Sequence, residues 1–380
     1  MKKENLNILV HSIYFPPEVG GLESHIYTLA KTQIEKGHSV HVVTSRSGDF
    51  PKTETMGKIT VERRFCPNKR FSGWLTTTLA GIPAMKRKFS WADICHVHTF
   101  PSIIPAIKLH RKGIPLVASI HTSHFVRLSD KKLWRPILKK LLSYPDVILT
   151  ASKTIQEICR GFHPSKPIYA LVNATDTGFF KPVEPVIKRP SFDTKMLFIP
   201  SRLYEIKGIE YAIRALPTIR NKQNVHLYIV GDGPLRGRLD ELSASLGIQE
   251  FIHFLGTVPH IDMPGIISSA DLVVLPSLME ATSIAALEAM SCEKPIIASD
   301  VGGLPEIIDD QSGILVPPKK PKALAEAILE MLSFPEEKRR SMGAHARERV
   351  KNNWSVNKLT DKVLAHYEEA FEINKRNKLL

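Results

Sequence analysis

The sequence predicts an α/β protein made of two Rossmann-like, doubly wound domains. Short apolar runs rich in Val, Ile and Leu recur along the chain with helix-length segments between most of them, the rhythm of parallel strands joined by crossover helices. At 380 residues the chain has room for two domains of ordinary size. Its composition is globular, 43% hydrophobic and 24% charged, without a low-complexity tract.

The first series opens with a strand over Leu6 to Val10. A helix over Leu22 to Lys36 is closed by Gly37, and a second strand runs from His38 to Thr44. Further strands are expected at Ile59 to Phe65, Asp93 to Val97, Pro115 to Ile120, Val147 to Thr150 and Ile168 to Val172. The Pro-, Lys- and Arg-rich stretch Lys181 to Pro190 has the composition of an interdomain linker. A second series follows, with strands at Met196 to Pro200, Val225 to Val230, Phe251 to Phe254, Leu272 to Leu275, Pro295 to Ala298 and Ile314 to Val316. From Pro321 the chain is helical, with a break at Trp354 before a last helix over 356–375. The expected domains are therefore 1–185 and 191–355. The two series share no sequence repeat.

Charge is divided unevenly. Residues 1–190 hold 29 Lys and Arg against 13 Asp and Glu, while residues 191–380 hold 23 against 25, so the first half carries the whole excess behind the net +14. Such asymmetry suits one domain facing a polyanion or an anionic membrane. No nucleic-acid-binding module is recognisable and the charge follows no repeated motif, which argues against a nucleic-acid partner. The apolar run at the N-terminus is too brief for a secretory signal and no stretch approaches a membrane span, so a cytoplasmic, peripheral protein is expected. Cys66, Cys95, Cys159 and Cys292 are widely spaced with no CxxC, the pattern of buried thiols in a reducing compartment.

The densest chemistry lies between Pro276 and Ile308. A strand ends at Ser277, a helix starts near Ile284, and another strand follows Lys294, so the segment sits at the carboxyl end of a parallel strand, where open α/β sheets bind ligands. Thr282 and Ser283 suit the N-cap, and the first-turn amides would face an anion. Glu280 stands just ahead of this helix and Glu288 one turn inside it. Two readings fit: carboxylates accepting hydroxyl pairs from something attached to the anion, or a first-turn dipole partner and a solvated helix residue.

Other candidate turns also follow strands. Gly20 and Gly21, in PPEVGGLESHI, form either a close backbone approach to a ligand or a tight connection. Arg202 and Lys207, in SRLYEIKG, are either diphosphate partners or solvated loop cations. Gly231, Gly233 and Gly237 lack the GxGxxG spacing of a dinucleotide site. His96 and His98 could form a metal pair, but no third ligand is evident nearby, and no metal is expected. Basic and aromatic residues mingle in Arg63 to Phe65, Asn68 to Trp74, Met85 to Trp91 and Asp130 to Leu142. In the last, Leu133, Ile137, Leu138 and Leu141 lie near one helical face with Lys and Arg around it. That is the pattern of an interfacial helix, or of an amphipathic helix packed on the sheet.

The glutamate, seven residues, glutamate pattern of Glu280 and Glu288, with Ala289-Met290 and Lys294-Pro295-Ile296-Ile297-Ala298 behind it, resembles retaining glycosyltransferases of family 4. The strings GGLESHIYTLAKTQIEKGHSVHVVT and Arg202-Leu203 to Lys207-Gly208 resemble the same family. The first of these is also similar to the catalytic subunit of the enzyme that adds N-acetylglucosamine to phosphatidylinositol. Ala281, Thr282 and Ser283 depart from the Gly-Phe-Gly often found between the glutamates.

The resemblance implies a GT-B fold, two Rossmann-like domains facing across a cleft, with the terminal helix returning to the first. It implies transfer from a nucleotide-diphosphate sugar as co-substrate, UDP-sugar first and GDP-mannose next, to a lipid-linked sugar, glycolipid or glycan. Glu280 and His121 would contact the donor sugar, and Arg202 and Lys207 its diphosphate. Glu288 would bind the ribose, and Gly20, Gly21, Gly233, Val258, Thr282, Ser283 and Ile284 would line the nucleotide. No cofactor is implied, and the absence of any Asp-x-Asp disfavours the metal-dependent GT-A class. A soluble transferase making a small glycoside or polysaccharide, or a nucleotide-binding scaffold without catalysis, are the other readings.

Overall fold

The computed structural model describes residues 4–18, 21–46, 50–66, 71–121, 123–171, 174–280 and 283–379. The chain divides into two compact units, Met1–Asn173 with Val356–Leu380, and Ala174–Ser355.

The first unit carries strands β1 (Asn7–Ser12), β2 (Ser39–Arg46), β3 (Thr53–Met56), β4 (Ile59–Phe65), β5 (Ile94–His98), β6 (Leu116–Ile120), β7 (Val147–Thr150) and β8 (Ile168–Ala170). They form one sheet in the order β3-β4-β2-β1-β5-β6-β7-β8. All neighbours run parallel except β3, which pairs antiparallel with β4 at the edge. The order reverses at β1, the topological switch point of a doubly wound sheet. Helices α1 (Gly21–Glu35), α2 (Phe71–Arg87), α3 (Ile103–Arg111), α4 (Ser123–Ser129), α5 (Arg135–Leu142) and α6 (Lys153–Phe162) connect these strands. The central strands are buried throughout, as a sheet covered on both faces requires.

The second unit has strands β9 (Lys195–Pro200), β10 (Val225–Val230), β11 (Ile252–Gly256), β12 (Leu272–Leu275), β13 (Ile296–Ser299) and β14 (Gly313–Val316), ordered β11-β10-β9-β12-β13-β14 and all parallel. Its helices are α7 (Ile209–Arg220), α8 (Arg236–Ser245), α9 (Met263–Ser268), α10 (Ile284–Ser291), α11 (Leu304–Ile307), α12 (Pro321–Ser333) and α13 (Glu336–Asn353). Its core packs Leu197, Ile199, Leu227, Ile229 and Val274 of the sheet against Ile213, Leu216, Ile328 and Met331 of α7 and α12.

The last helix, α14 (Val356–Leu379), belongs to the first unit. A buried polar chain explains its docking. Gln33 of α1 donates to the Tyr367 hydroxyl at 3.0 Å, that hydroxyl meets His96 Nδ1 at 2.7 Å, and His96 Nε2 meets Ser119 Oγ at 2.7 Å. Tyr169 of β8 also donates to Glu369, at 2.8 Å.

Residues 181–190 are not a free linker, which corrects the expected boundary. The amides of Val183, Val186 and Ile187 donate to Ser268 and Ser269, and Arg189 grips Asp271 through both terminal guanidinium nitrogens, so the stretch is stitched onto the second unit. The division falls earlier, after Asn173. No helix among the described residues is long and apolar enough to cross a membrane.

Candidate functional site

In the second unit, three strand-end turns are locked together by their own backbones. Gly231, at φ +143°, lies under the Ser201 carbonyl, where a Cβ would come within 2.3 Å; a Cβ on Gly233 would come within 2.6 Å of the Leu203 carbonyl. Leu203 donates to the Asp232 carbonyl at 3.0 Å and Leu235 donates to that of Leu203 at 3.2 Å. Backbone packing alone therefore requires these two glycines. The turn after β9 is joined in the same way to the turn after β12: Leu278 donates to the Ile206 carbonyl at 2.8 Å, and Gly208, at φ +60°, takes the place where a Cβ would meet the Pro276 carbonyl at 2.1 Å.

This stitching brings together residues 73 positions apart in the sequence. Lys207 Nζ donates to Glu280 Oε1 at 2.5 Å, and Ser277 Oγ donates to the same oxygen at 3.0 Å. Both side chains of the ion pair are largely shielded, 22% and 10% exposed. Behind them Gly302, at φ +56°, sits so close to the Glu280 carbonyl that a Cβ would stand 1.6 Å from it. Arg202 is exposed, its guanidinium 5.6 Å from the centre of the Tyr204 ring.

Helix α10 begins as the sequence suggests. Ser283 is its N-cap, with Oγ accepting from Ala286 at 3.3 Å, so the amides of Ile284 and Ala285 form the open, partially positive helix end. Glu288 lies one turn in, its side chain 14% exposed and its Oε1 3.9 Å from His260 Nε2. Burial raises its pKa to about 8. The His260 ring is stacked flat on Phe179 at 5.0 Å and meets Phe180 edge-on at 5.2 Å. Val258, half-buried, lies in the turn between Gly256 and this ring. Sequence reasoning missed Ser277, His260, Phe179 and Phe180. Their signals were faint: a serine ending a strand, a Pro-His step, and two adjacent Phe residues.

In the first unit, Gly21 opens α1. Gly20 lies outside the described residues, as does Thr282 in the second unit. His121, just after β6, is turned inward: its Nε2 is 3.3 Å from His98 Nδ1, and its Nδ1 is buried without a hydrogen-bond partner. Burial holds its pKa well below the usual histidine range. His25 completes the group, its ring 4.9 Å from that of His121 and 6.1 Å from that of His98. A third histidine therefore does stand beside the strand pair, contrary to expectation, but it joins His98 and not His96, whose nitrogens are taken by Tyr367 and Ser119.

The basic patches divide. Arg63 is buried and bonded to Glu54 and the Pro16 carbonyl, and Arg64 pairs with Glu62, so neither is a free surface cation. In the fourth patch Leu138 and Leu142 face inward, whereas Leu133, which precedes α5, and Ile137 are 86% and 47% exposed among Lys131, Lys132, Arg135, Lys139 and Lys140. The single apolar face expected there is thus split between core and surface.

Two family models cover most of the chain: Glycosyltransferase Family 4 over residues 19–179 and Glycosyl transferases group 1 over residues 184–349. An uncharacterised glycosyltransferase of Methanocaldococcus jannaschii is 33% identical over 343 residues, covering 84% of this chain and 87% of that one. One subunit of the phosphatidylinositol N-acetylglucosaminyltransferase of Arabidopsis thaliana is 29% identical over 341 residues, covering 87% and 75%. An Anabaena protein crystallised with UDP-glucose superposes with a TM-score of 0.75 at 19% identity, covering 96% of this chain and 99% of that one. The chain is a glycosyltransferase of family 4, with the GT-B fold.

Proposed function

We propose that this enzyme moves a hexosyl or N-acetylhexosaminyl group from a nucleotide-diphosphate sugar to a lipid-linked or glycan acceptor, with retention at the anomeric carbon and without a metal at the reacting centre. The contact between Lys207 and Glu280 carries the reading, because it sets a diphosphate cation against a hydroxyl acceptor beside the open end of α10. In this scheme the donor diphosphate draws on Lys207, Arg202 and the amides of Ile284 and Ala285, with Thr282 and Ser283 at the same helix start. Glu280, relieved of part of its ion pair, accepts sugar hydroxyls, and Glu288 accepts those of the ribose. Gly233 and Val258 approach the nucleotide through backbone, and the family resemblance gives Gly20, Gly21 and His121 of the first unit their roles toward the donor.

No protein nucleophile is needed. As the bond from the anomeric carbon to the departing phosphate breaks, the phosphate takes the acceptor hydroxyl's proton on the same face, and the cations stabilise its growing charge. A UDP-sugar is favoured, in keeping with the UDP-glucose on the Anabaena fold relative, with GDP-mannose second. Release of nucleoside diphosphate from a panel of UDP- and GDP-sugars, with and without a membrane-lipid extract, tests donor and acceptor class together. Arg202→Ala and Lys207→Ala should each lower turnover about 100- to 1,000-fold with the circular-dichroism spectrum unchanged. Near-normal turnover in both variants would sink the assignment.

The acceptor side rests on the exposed Leu133 and Ile137 within their basic surround, on the positive first half, and on the phosphatidylinositol named in the Arabidopsis relative's activity. The protein should float with liposomes containing anionic lipid and not with neutral ones. Failure to float with either would remove the membrane assignment. A cytoplasmic setting accords with four buried free cysteines.

A further inference from the structure

Helix α13 lies hard against the end of α10: a Cβ on Gly343 would stand 2.0 Å from the Glu293 carbonyl, just past that helix. The close approach brings Arg347, one turn further along α13 and only 13% exposed, to three main-chain carbonyls. One is that of Ser291, the last residue of α10, where a cation also suits the negative end of the helix. The other two belong to the turn from Asp176 to Phe180: Arg347 donates to Thr177 at 3.1 Å and to Phe180 at 3.0 Å. That turn satisfies its own amides, since Asp176 accepts from Gly178, Phe179 and Phe180 through its side chain and its carbonyl. The Thr177 and Phe180 carbonyls draw instead on the guanidinium, which offers five donors and no acceptor. The same turn carries the two rings that meet His260, Phe179 face to face at 5.0 Å and Phe180 edge-on at 5.2 Å. His260 in turn reaches Glu288, which lies one turn before Ser291 on α10. Arg347 thus leads to Glu288 by two routes, through the turn and its rings and through the end of α10.

We propose that Arg347 is a positioning residue for the donor nucleotide: by holding the Asp176 to Phe180 turn against the end of α10, it fixes the ring pair of Phe179 and His260 relative to Glu288, and so shapes the ribose side of the site without touching the donor. The inference rests on the reading above that Glu288 accepts the ribose hydroxyls. Without the guanidinium three carbonyls lose their donor, the turn and its rings come loose from α10, and Glu288 meets the ribose in the wrong place. The loss falls on binding that substrate and transition state share, so it raises donor KM and spares kcat. Arg349, two positions on, is built alike and serves as the comparison. It donates to the Ile307 carbonyl at 3.3 and 3.2 Å and pairs with Asp309 at 2.9 Å, and among the described residues it has no bond to the Asp176 to Phe180 turn or to α10.

Calorimetric titration of the full chain with UDP and with GDP at pH 8 compares the wild type with Arg347→Gln, Arg349→Gln and Glu288→Gln. Both arginine variants should lower the thermal midpoint. Of the two, only Arg347→Gln should weaken the tighter-binding nucleotide, by about tenfold or more, and Arg347→Lys should recover part of the loss. In turnover the Arg347→Gln deficit should appear in donor KM, with kcat within about twofold of the wild type. Equal weakening in both arginine variants, or none in either, overturns the inference. If Glu288→Gln binds as tightly as the wild type, or the wild type binds neither nucleotide, the ribose reading falls and this inference with it. Weakened binding in Glu288→Gln beside unchanged binding in Arg347→Gln overturns the inference alone. Because Arg347→Gln could fail to fold, Phe179→Leu supplies a second variant, which keeps every carbonyl that Arg347 holds and removes only the stacked ring. It should weaken the same nucleotide, and unchanged affinity there also overturns the inference.

Discussion

Glu288 and Lys207 show how differently two candidate residues meet their surroundings. Lys207 arrives already paired with Glu280, so a diphosphate has to compete for it, whereas the ion-pair partner of Glu288 among the described residues is the largely neutral His260. Burial without a close cation raises the Glu288 pKa to about 8, and the carboxyl is mostly protonated at pH 6. Only the ionised form can accept from both ribose hydroxyls. Nucleotide affinity should therefore rise with pH between 6 and 8, by up to about tenfold per unit. Glu288→Gln should bind more weakly at pH 8 and lose the slope. Calorimetric titration with UDP across that range checks both, and a flat wild-type profile would show that Glu288 does not meet the ribose. The residue chemistry legible in advance was that of the types themselves, carboxylates and cations at strand ends. The Lys207 to Glu280 pairing was not, since it depends on two turns meeting across 73 residues.

Strands were the most legible elements because apolar, β-branched runs leave few alternatives once helices flank them. β4, β7, β10 and β12 fall where the sequence places them. β3 was missed for a physical reason: TETM is a short edge strand with one neighbour and no buried face, so it carries almost no apolar signal. The 181–190 stretch misled because its Pro-rich composition is that of a linker, while the groups that hold it, Ser268, Ser269 and Asp271, lie about 80 residues on. The end of α14 was readable as a helix, but its docking was not. It hangs on the Tyr367 hydroxyl, which accepts from Gln33 and meets His96 inside a fully buried site. Tyr367→Phe keeps the ring and strands both partners, so it should cost about 1–3 kcal/mol, most of it desolvation of polar groups left unpaired. Urea unfolding would show this as a lower midpoint at constant slope. A neutral result would mean that the ring, and not the hydroxyl, anchors the helix.

At the scale of the whole molecule the buried titratable groups set opposing limits on stability. His11 is fully buried with neither ring nitrogen bonded, and burial lowers its pKa to about 3; His41, buried beside Lys88 and Arg87, is lowered to about 4. Both have folded-state values below the unfolded 6.5, so the unfolded chain binds more protons under pH 6.5 and stability falls as the solution is acidified. Glu288 works the other way. Its folded-state value lies above the unfolded 4.5, so the folded chain holds a proton the unfolded chain has lost, and stability falls as pH rises from 4.5 towards 8. Each group contributes a slope of about 1.4 kcal/mol per pH unit where its two states differ fully in protonation. Burial lowers His25 to about 4 and His96 to about 3 in the same sense, so between about pH 4.5 and 6.5 the buried histidines outweigh the one glutamate, and above about 6.5 the slope of Glu288 prevails. Stability should therefore peak near about pH 6.5, with thermal midpoints lower at both pH 5 and pH 8. His11→Leu should soften the acid limb and Glu288→Gln the alkaline one, each without moving the other. Calorimetric scans of the three proteins across this range test the division, and an alkaline limb that persists in Glu288→Gln would assign that loss to another group.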